Sequence, residues 1–187
     1  MGLKKGQKRT AADTRELIFK AASQILIDDG LSSLTLAKVA EQAGLSKGGL
    51  LYHFPNKVAL IDAIFEYHNG IFERRLSQLR IEEGDSPGAW LKAYARASVE
   101  QISDAETASL YASLFAAEEE YASAHAKMRQ KYEVWQEQVE QCGLDPNWAM
   151  LIRLTVDGLW FSEMHQYGPP NPRAARMVGA KDNGASG

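Results

Sequence analysis

The sequence predicts an all-α protein of about nine helices, with an N-terminal helix-turn-helix unit on a larger helical body. Three observations carry that prediction. Apolar residues recur at helical spacing in almost every segment. No stretch sustains the apolar–polar alternation of a half-buried strand. The breaks between periodic segments hold Gly, Pro, Ser, Thr, Asp or Asn, the residues that start and stop helices. The 187 residues suffice for one or two domains with a real core.

The first helix is expected over about 13–29, where Leu17, Ile18, Ala21, Ala22, Ile25 and Leu26 make one apolar face. Asp13 with Glu16 is a capping pair, and Thr10 with Asp13 is an alternative start. Gly30 stops the helix. Thr35 caps a short second helix over about 36–43, which carries Leu36, Val39, Ala40 and Ala43 and ends at Gly44. Ser46 caps a third that stops before Pro55. Asn56 caps a long fourth helix through "KVALIDAIFEYHNGIFERRLSQL", with Gly70 a candidate bend.

The stretch "EEGDSPG" (82–88) reads as a linker, with Ser86 as N-cap and Pro87 as first residue of a helix running to about 103. Helices over about 105–119 and 122–141 follow. Gly143 ends that pattern, and Asp145-Pro146 opens a helix to about 167. After the break "YGPPNP", a short helix over about 172–180 and a disordered tail at 181–187 complete the chain. The resulting plan is a flexible basic arm (1–12), a helix-turn-helix domain (13–56), a helical body (57–180) and the tail.

Charge is divided along the chain. Residues 1–57 hold nine Lys/Arg against five Asp/Glu, and the remainder holds 12 against 19. A basic front on an acidic body suits contact with a polyanion at one end; it also suits a solvated tail above acidic surface helices. No apolar run approaches the ~20 residues that span a bilayer, and the basic N-terminus lacks the apolar core of a secretory signal. Cys142 is the only cysteine, which fits the cytoplasm.

The segment "LSKGGLLYHFPNK" (45–57) is the most informative. Its adjacent glycines, Gly48 and Gly49, each cost a helix interior ~1 kcal/mol against alanine. On a helical wheel Leu50 and Phe54 share one side. The opposite side carries Gly48, Gly49 and Tyr52, with His53 at its border. A helix with bare backbone on its outer side can sit deep in a major groove ~12 Å wide. Tyr52 and His53 can bond phosphates or base edges. Thr35, at the start of the second helix, and Lys57, at the start of the fourth, suit phosphates, since helix N-termini attract anions. A plain connector between two helical hairpins is the bland alternative.

The run "LTLAKVAEQAGLSKGGLLYHFPNKVAL" resembles the DNA-binding domain of the tetracycline-repressor (TetR) family of bacterial regulators. The shared features are the opening Thr35, Ala40, Gly44, "SKG", Leu50, "YHF" and "NK". The resemblance covers roughly residues 13–65; the rest matches only in helix count and layout. It implies that the third helix reads DNA through Lys47, Gly48, Gly49, Tyr52 and His53, with Thr35 and Lys57 on the backbone phosphates. Leu51 stands where the family commonly has an aromatic, and Ala37 where it commonly has an arginine, with Lys38 beside it. The arm residues Lys4, Lys5, Lys8 and Arg9 are candidates for the minor groove or for simple solvation.

The resemblance also implies that the body binds a small-molecule effector and forms a homodimer on a palindromic operator in double-stranded DNA. Trp90, Tyr94, Phe115, Trp135 and Trp160 are the first candidates for an aromatic ligand cavity; ordinary core packing is the alternative for each. The helix from Pro146 is apolar on more than one face. That makes Trp148, Ile152, Thr155, Leu159, Ser162 and Glu163 candidates for a subunit interface, against an intrachain core helix.

Nothing points to catalysis. Glu118–Glu120 with His125, and Glu163 with His165, lack the Glu-x-x-His spacing of a di-metal bundle. No metal or cofactor is expected. The reading is therefore a transcriptional regulator, a repressor released by its ligand, with an activator or a non-specific architectural DNA binder as alternatives.

Overall fold

A computed structural model describes residues 10–168 except 103, 117–118 and 166. The expected 172–180 helix, the tail and most of the basic arm lie outside them. Among the described residues there are eight α-helices and no strand. They are α1 (Ala11–Asp29), α2 (Leu36–Gln42), α3 (Lys47–His53), α4 (Lys57–Glu83), α5 (Ala89–Ile102), α6 (Ala105–Ala116), α7 (Ala122–Glu140) and α8 (Pro146–His165).

Local chemistry sets most of these bounds. α1 starts at Thr10, the earlier of the two candidate caps. The Thr10 hydroxyl accepts from Asp13 N–H at 3.1 Å, and the Asp13 carboxylate accepts from Thr10 N–H at 3.0 Å, a closed capping box. Thr35, Ser46 and Asn56 cap α2, α3 and α4 as expected, each accepting from the N–H three residues on. α4 runs through Gly70 without interruption and stops at Gly84, whose φ is 70°. α5 begins at Ala89, two residues later than Pro87. Gly88 takes φ 78°, and its N–H donates to the Cys142 carbonyl at 2.6 Å instead of starting the helix. A Cβ there would lie 2.9 Å from Leu144, so this close crossing requires glycine.

Two buried cores meet along α4. The first gathers Ile18, Ile25, Leu50, Phe54, Leu60 and Phe65 with Leu110 and Tyr121. It joins the helix-turn-helix to α6 and the start of α7. The second gathers Phe72, Leu79, Leu91, Tyr94, Trp135 and Val156 from α4, α5, α7 and α8. Ser109 on α6 also donates to the Leu26 carbonyl of α1 at 2.9 Å.

Candidate nucleic-acid interface and effector cavity

Leu50 and Phe54 anchor α3 in the first core at 0% and 2% exposure. The opposite side is therefore turned outward. Tyr52 is 86% exposed, and Lys47 and Gly48 are exposed beside it. His53 is half-buried, with its ring edge-on to Tyr52 at 5.3 Å. A Cβ on Gly48 would meet nothing within 4 Å, whereas one on Gly49 would approach the Ser46 hydroxyl at 3.2 Å. Gly48 is thus bare on open space and not for internal packing. Gly49 keeps clear of the cap.

Thr35 is exposed at the start of α2, its hydroxyl occupied by Lys38 N–H at 3.2 Å. Lys38 pairs with Asp29 at 2.7 Å. Lys57 Nζ donates to the Leu31 carbonyl at 3.0 Å, tying the 3-10 turn Leu31–Ser33 to α4. An ammonium has three protons, so this bond leaves two for another acceptor.

An aromatic cavity of about 180 Å³ lies between α4, α5, α6, α7 and α8. Its size is comparable to an apolar cavity of ~150 Å³ that holds one benzene. Tyr94, Phe115, Trp135 and Trp160 line it. Trp90 does not: its ring stacks on Tyr94 at 5.3 Å with 11° between planes, one turn away on α5. Among the described residues Asp157 is the one charged residue in the lining. Its carboxylate accepts from the Tyr94 hydroxyl at 2.7 Å and lies 3.2 Å from Arg153, which also covers the Tyr132 ring at 5.3 Å. Burial nevertheless raises the Asp157 pKa above the usual carboxylate value, against the lowering by Tyr94 and Arg153. Burial likewise pushes the Tyr132 phenol up to about 12.

Asn69 supplies a second polar feature. Its Oδ1 accepts from the Tyr111 hydroxyl at 3.2 Å, and its buried Nδ2 has no partner. Flipping the amide exchanges the two atoms and still leaves one end free. An aromatic wall with a few polar groups, here a free amide end and a carboxylate, has the composition that small-molecule pockets commonly have.

Along α8 the predicted interface residues divide. Trp148 is 64% exposed and Thr155 is exposed, while Leu159, Ser162 and Glu163 are half-buried. Ile152 turns inward onto the second core. Leu151, Leu154 and Phe161, more than half exposed, complete an outward apolar stripe. They were missed because periodicity shows that a helix has two apolar faces and not which face the rest of the chain covers. Among the described residues no cluster of three or more His, Cys, Asp or Glu could hold a metal ion. No described helix is long and apolar enough to cross a membrane.

A short helix fixed by its inner side and stripped on its outer side, preceded by the four-residue turn 43–46, defines a helix-turn-helix protein. The chain belongs to the tetR family of bacterial regulatory proteins: the family's N-terminal model matches residues 18–64, and a tetracyclin repressor-like C-terminal domain matches 88–180. The transcriptional regulator TtgR of Pseudomonas putida is 33% identical over 104 residues, 54% of this chain and 48% of that protein. The nucleoid occlusion factor SlmA of Vibrio campbellii is 33% identical over 82 residues, covering 43% and 41%. The chain thus spans about half the length of the relatives it matches. A transcriptional regulator from Rhodococcus sp. shares the fold with a TM-score of 0.72 at 20% identity, over 88% of this chain and 90% of that one.

Proposed function

We propose that the protein is a cytoplasmic, homodimeric transcriptional repressor that binds a palindromic operator and leaves it when a small molecule fills the aromatic cavity. The observation that carries the DNA-binding part is Tyr52, almost fully exposed beside the bare Gly48 on a helix whose inner side is locked by Leu50. Nothing in the packing of the described residues needs Gly48 or the Tyr52 side chain, which supports an external surface as their role. Thr35 and Lys57 flank that surface and hold phosphates. The outward stripe of α8 pairs with its copy across a two-fold axis. Tyr111 lines the cavity, and Ser109 on the same helix bonds α1, which gives effector binding a direct connection to the DNA-binding unit.

The test is selection of bound sequences from random duplex DNA at near-physiological salt. A palindromic consensus with recognition helices about one turn (~34–36 Å) apart, or slightly more, supports the reading. No enrichment by folded protein overturns sequence-specific binding. The likeness to SlmA, by name a nucleoid occlusion factor, supports a second reading, in which the same module binds DNA for a purpose other than transcription. Selected sites scattered over the source genome, away from promoters, favour that reading.

A further inference from the structure

The aromatic cavity has a neighbour. Phe72 and Gln101 line it and also line a second, larger cleft of about 690 Å³. That cleft lies between α1 and α4–α6, with Phe19 and Ser23 of the DNA-binding unit in its wall. Its character is different: His68, Asp104 and Thr107 stand together there.

Their hydrogen bonds fix what the cleft can accept. Thr107 Oγ1 has one proton and donates it to Asp104 Oδ2. Its 3.0 Å contact with His68 Nδ1 must therefore use the imidazole N–H as donor. A neutral ring protonated at Nδ1 leaves Nε2 as a bare acceptor. His68 is only 3% exposed, and among the described residues its Nε2 has no partner. A buried acceptor without a donor is a standing cost that a suitable ligand removes.

We infer that the effector spans both compartments, with an aromatic end in the cavity and a hydroxyl-type donor head beside His68 in the cleft under α1. The effector would cross between them at the shared wall of Phe72 and Gln101. This rests on the cavity being the effector site. It adds that the effector is elongated and that its head lies against the DNA-binding unit itself.

Quenching of tryptophan fluorescence by ω-phenylalkanols of increasing chain length, and by their methyl ethers, tests it on the full chain. In the native protein, affinity should rise with chain length, and the long alcohol should bind about fivefold tighter than its ether, the worth of one neutral hydrogen bond. Benzyl alcohol and its ether should bind alike. His68→Phe should bring the long-chain ratio to one. Gln101→Trp, in the half-buried wall shared by the two compartments, should weaken the long probe by a larger factor than the short one; this variant leaves the buried histidine in place. Binding by every probe without chain-length or hydroxyl preference overturns the two-compartment effector and leaves the cavity as the whole site. Absence of quenching by any probe overturns both.

Discussion

The Tyr94 hydroxyl donates to the Asp157 carboxylate at 2.7 Å across 63 positions of sequence. This bond crosses from α5 to α8 and places a charged group of the cavity lining against an aromatic wall. Its cost has a signature in pH. Burial outweighs both bonding partners and raises the Asp157 pKa. Between the ordinary carboxyl value, about 3.9, and the raised native value, the folded state binds more protons than the unfolded state. Stability therefore falls as pH rises through that window. Asp157→Asn removes this component. Urea unfolding of both proteins at a series of pH values should show wild type losing stability relative to the variant as pH rises, with no further divergence above the native pKa.

Gly48 allows stability and DNA binding to be separated. A methyl group there meets nothing and improves helix propensity. Gly48→Ala should stabilise the free protein by up to ~1 kcal/mol, read as a higher Tm. The same methyl occupies the surface proposed to face DNA, so affinity for a selected duplex should fall. Unchanged affinity would remove Gly48 from the interface.

Tyr52→Ala and His53→Ala should each weaken binding to the selected duplex by roughly 1–3 kcal/mol, about 5- to 150-fold. Tyr52 is outside the core, so its variant should unfold at the native denaturant midpoint. Fluorescence anisotropy at fixed salt measures the first effect and urea titration the second.

Lys57→Ala should have two effects. Loss of the bond to the Leu31 carbonyl should cost about 1 kcal/mol of stability. Loss of a phosphate contact should reduce the slope of log affinity against log salt by about one. A stability loss with an unchanged salt slope would assign Lys57 to the Leu31 carbonyl alone.

On α8, Trp148→Glu and Leu154→Glu put charge on an exposed apolar stripe without touching either core or the aromatic cavity, which Phe161 also lines. Both should give folded monomers in sedimentation velocity where the native chain sediments as a dimer. A native monomer would refute the proposed interface.

The helix-turn-helix was legible because its determinants are local. Thr35, Ser46 and Asn56 each cap through a bond three residues long, and Leu50 and Phe54 share an inner side through periodicity alone. The cavity was only partly legible. Trp90 and Tyr94 are one turn apart on α5, and nothing in their spacing tells which faces the cavity. Asp157, Asn69 and His68 act through partners on other helices, so their roles emerge only from packing. Lys57 reads as a phosphate ligand from its position at a helix start, yet its ammonium also holds a carbonyl 26 positions upstream. The start of α5 shifted because Gly88 answers to Cys142 and Leu144, far along the chain, and not to Pro87 beside it.

The 27 residues of α4 form one uninterrupted rod, about 40 Å long at ~1.5 Å per residue. Phe72, in the wall of both the cavity and the cleft, sits near its middle, and the capped end at Asn56 adjoins α3. Asn56 lies about 24 Å from that pivot at the same rise, so a tilt of about 5° there carries it ~2 Å. Two subunits tilting symmetrically would change the span between recognition helices by ~4 Å, roughly one base-pair step in a ~34 Å turn. In the proposed dimer, a lever of this length would convert a displacement smaller than a methyl group at the cavity into a full step of register on the duplex.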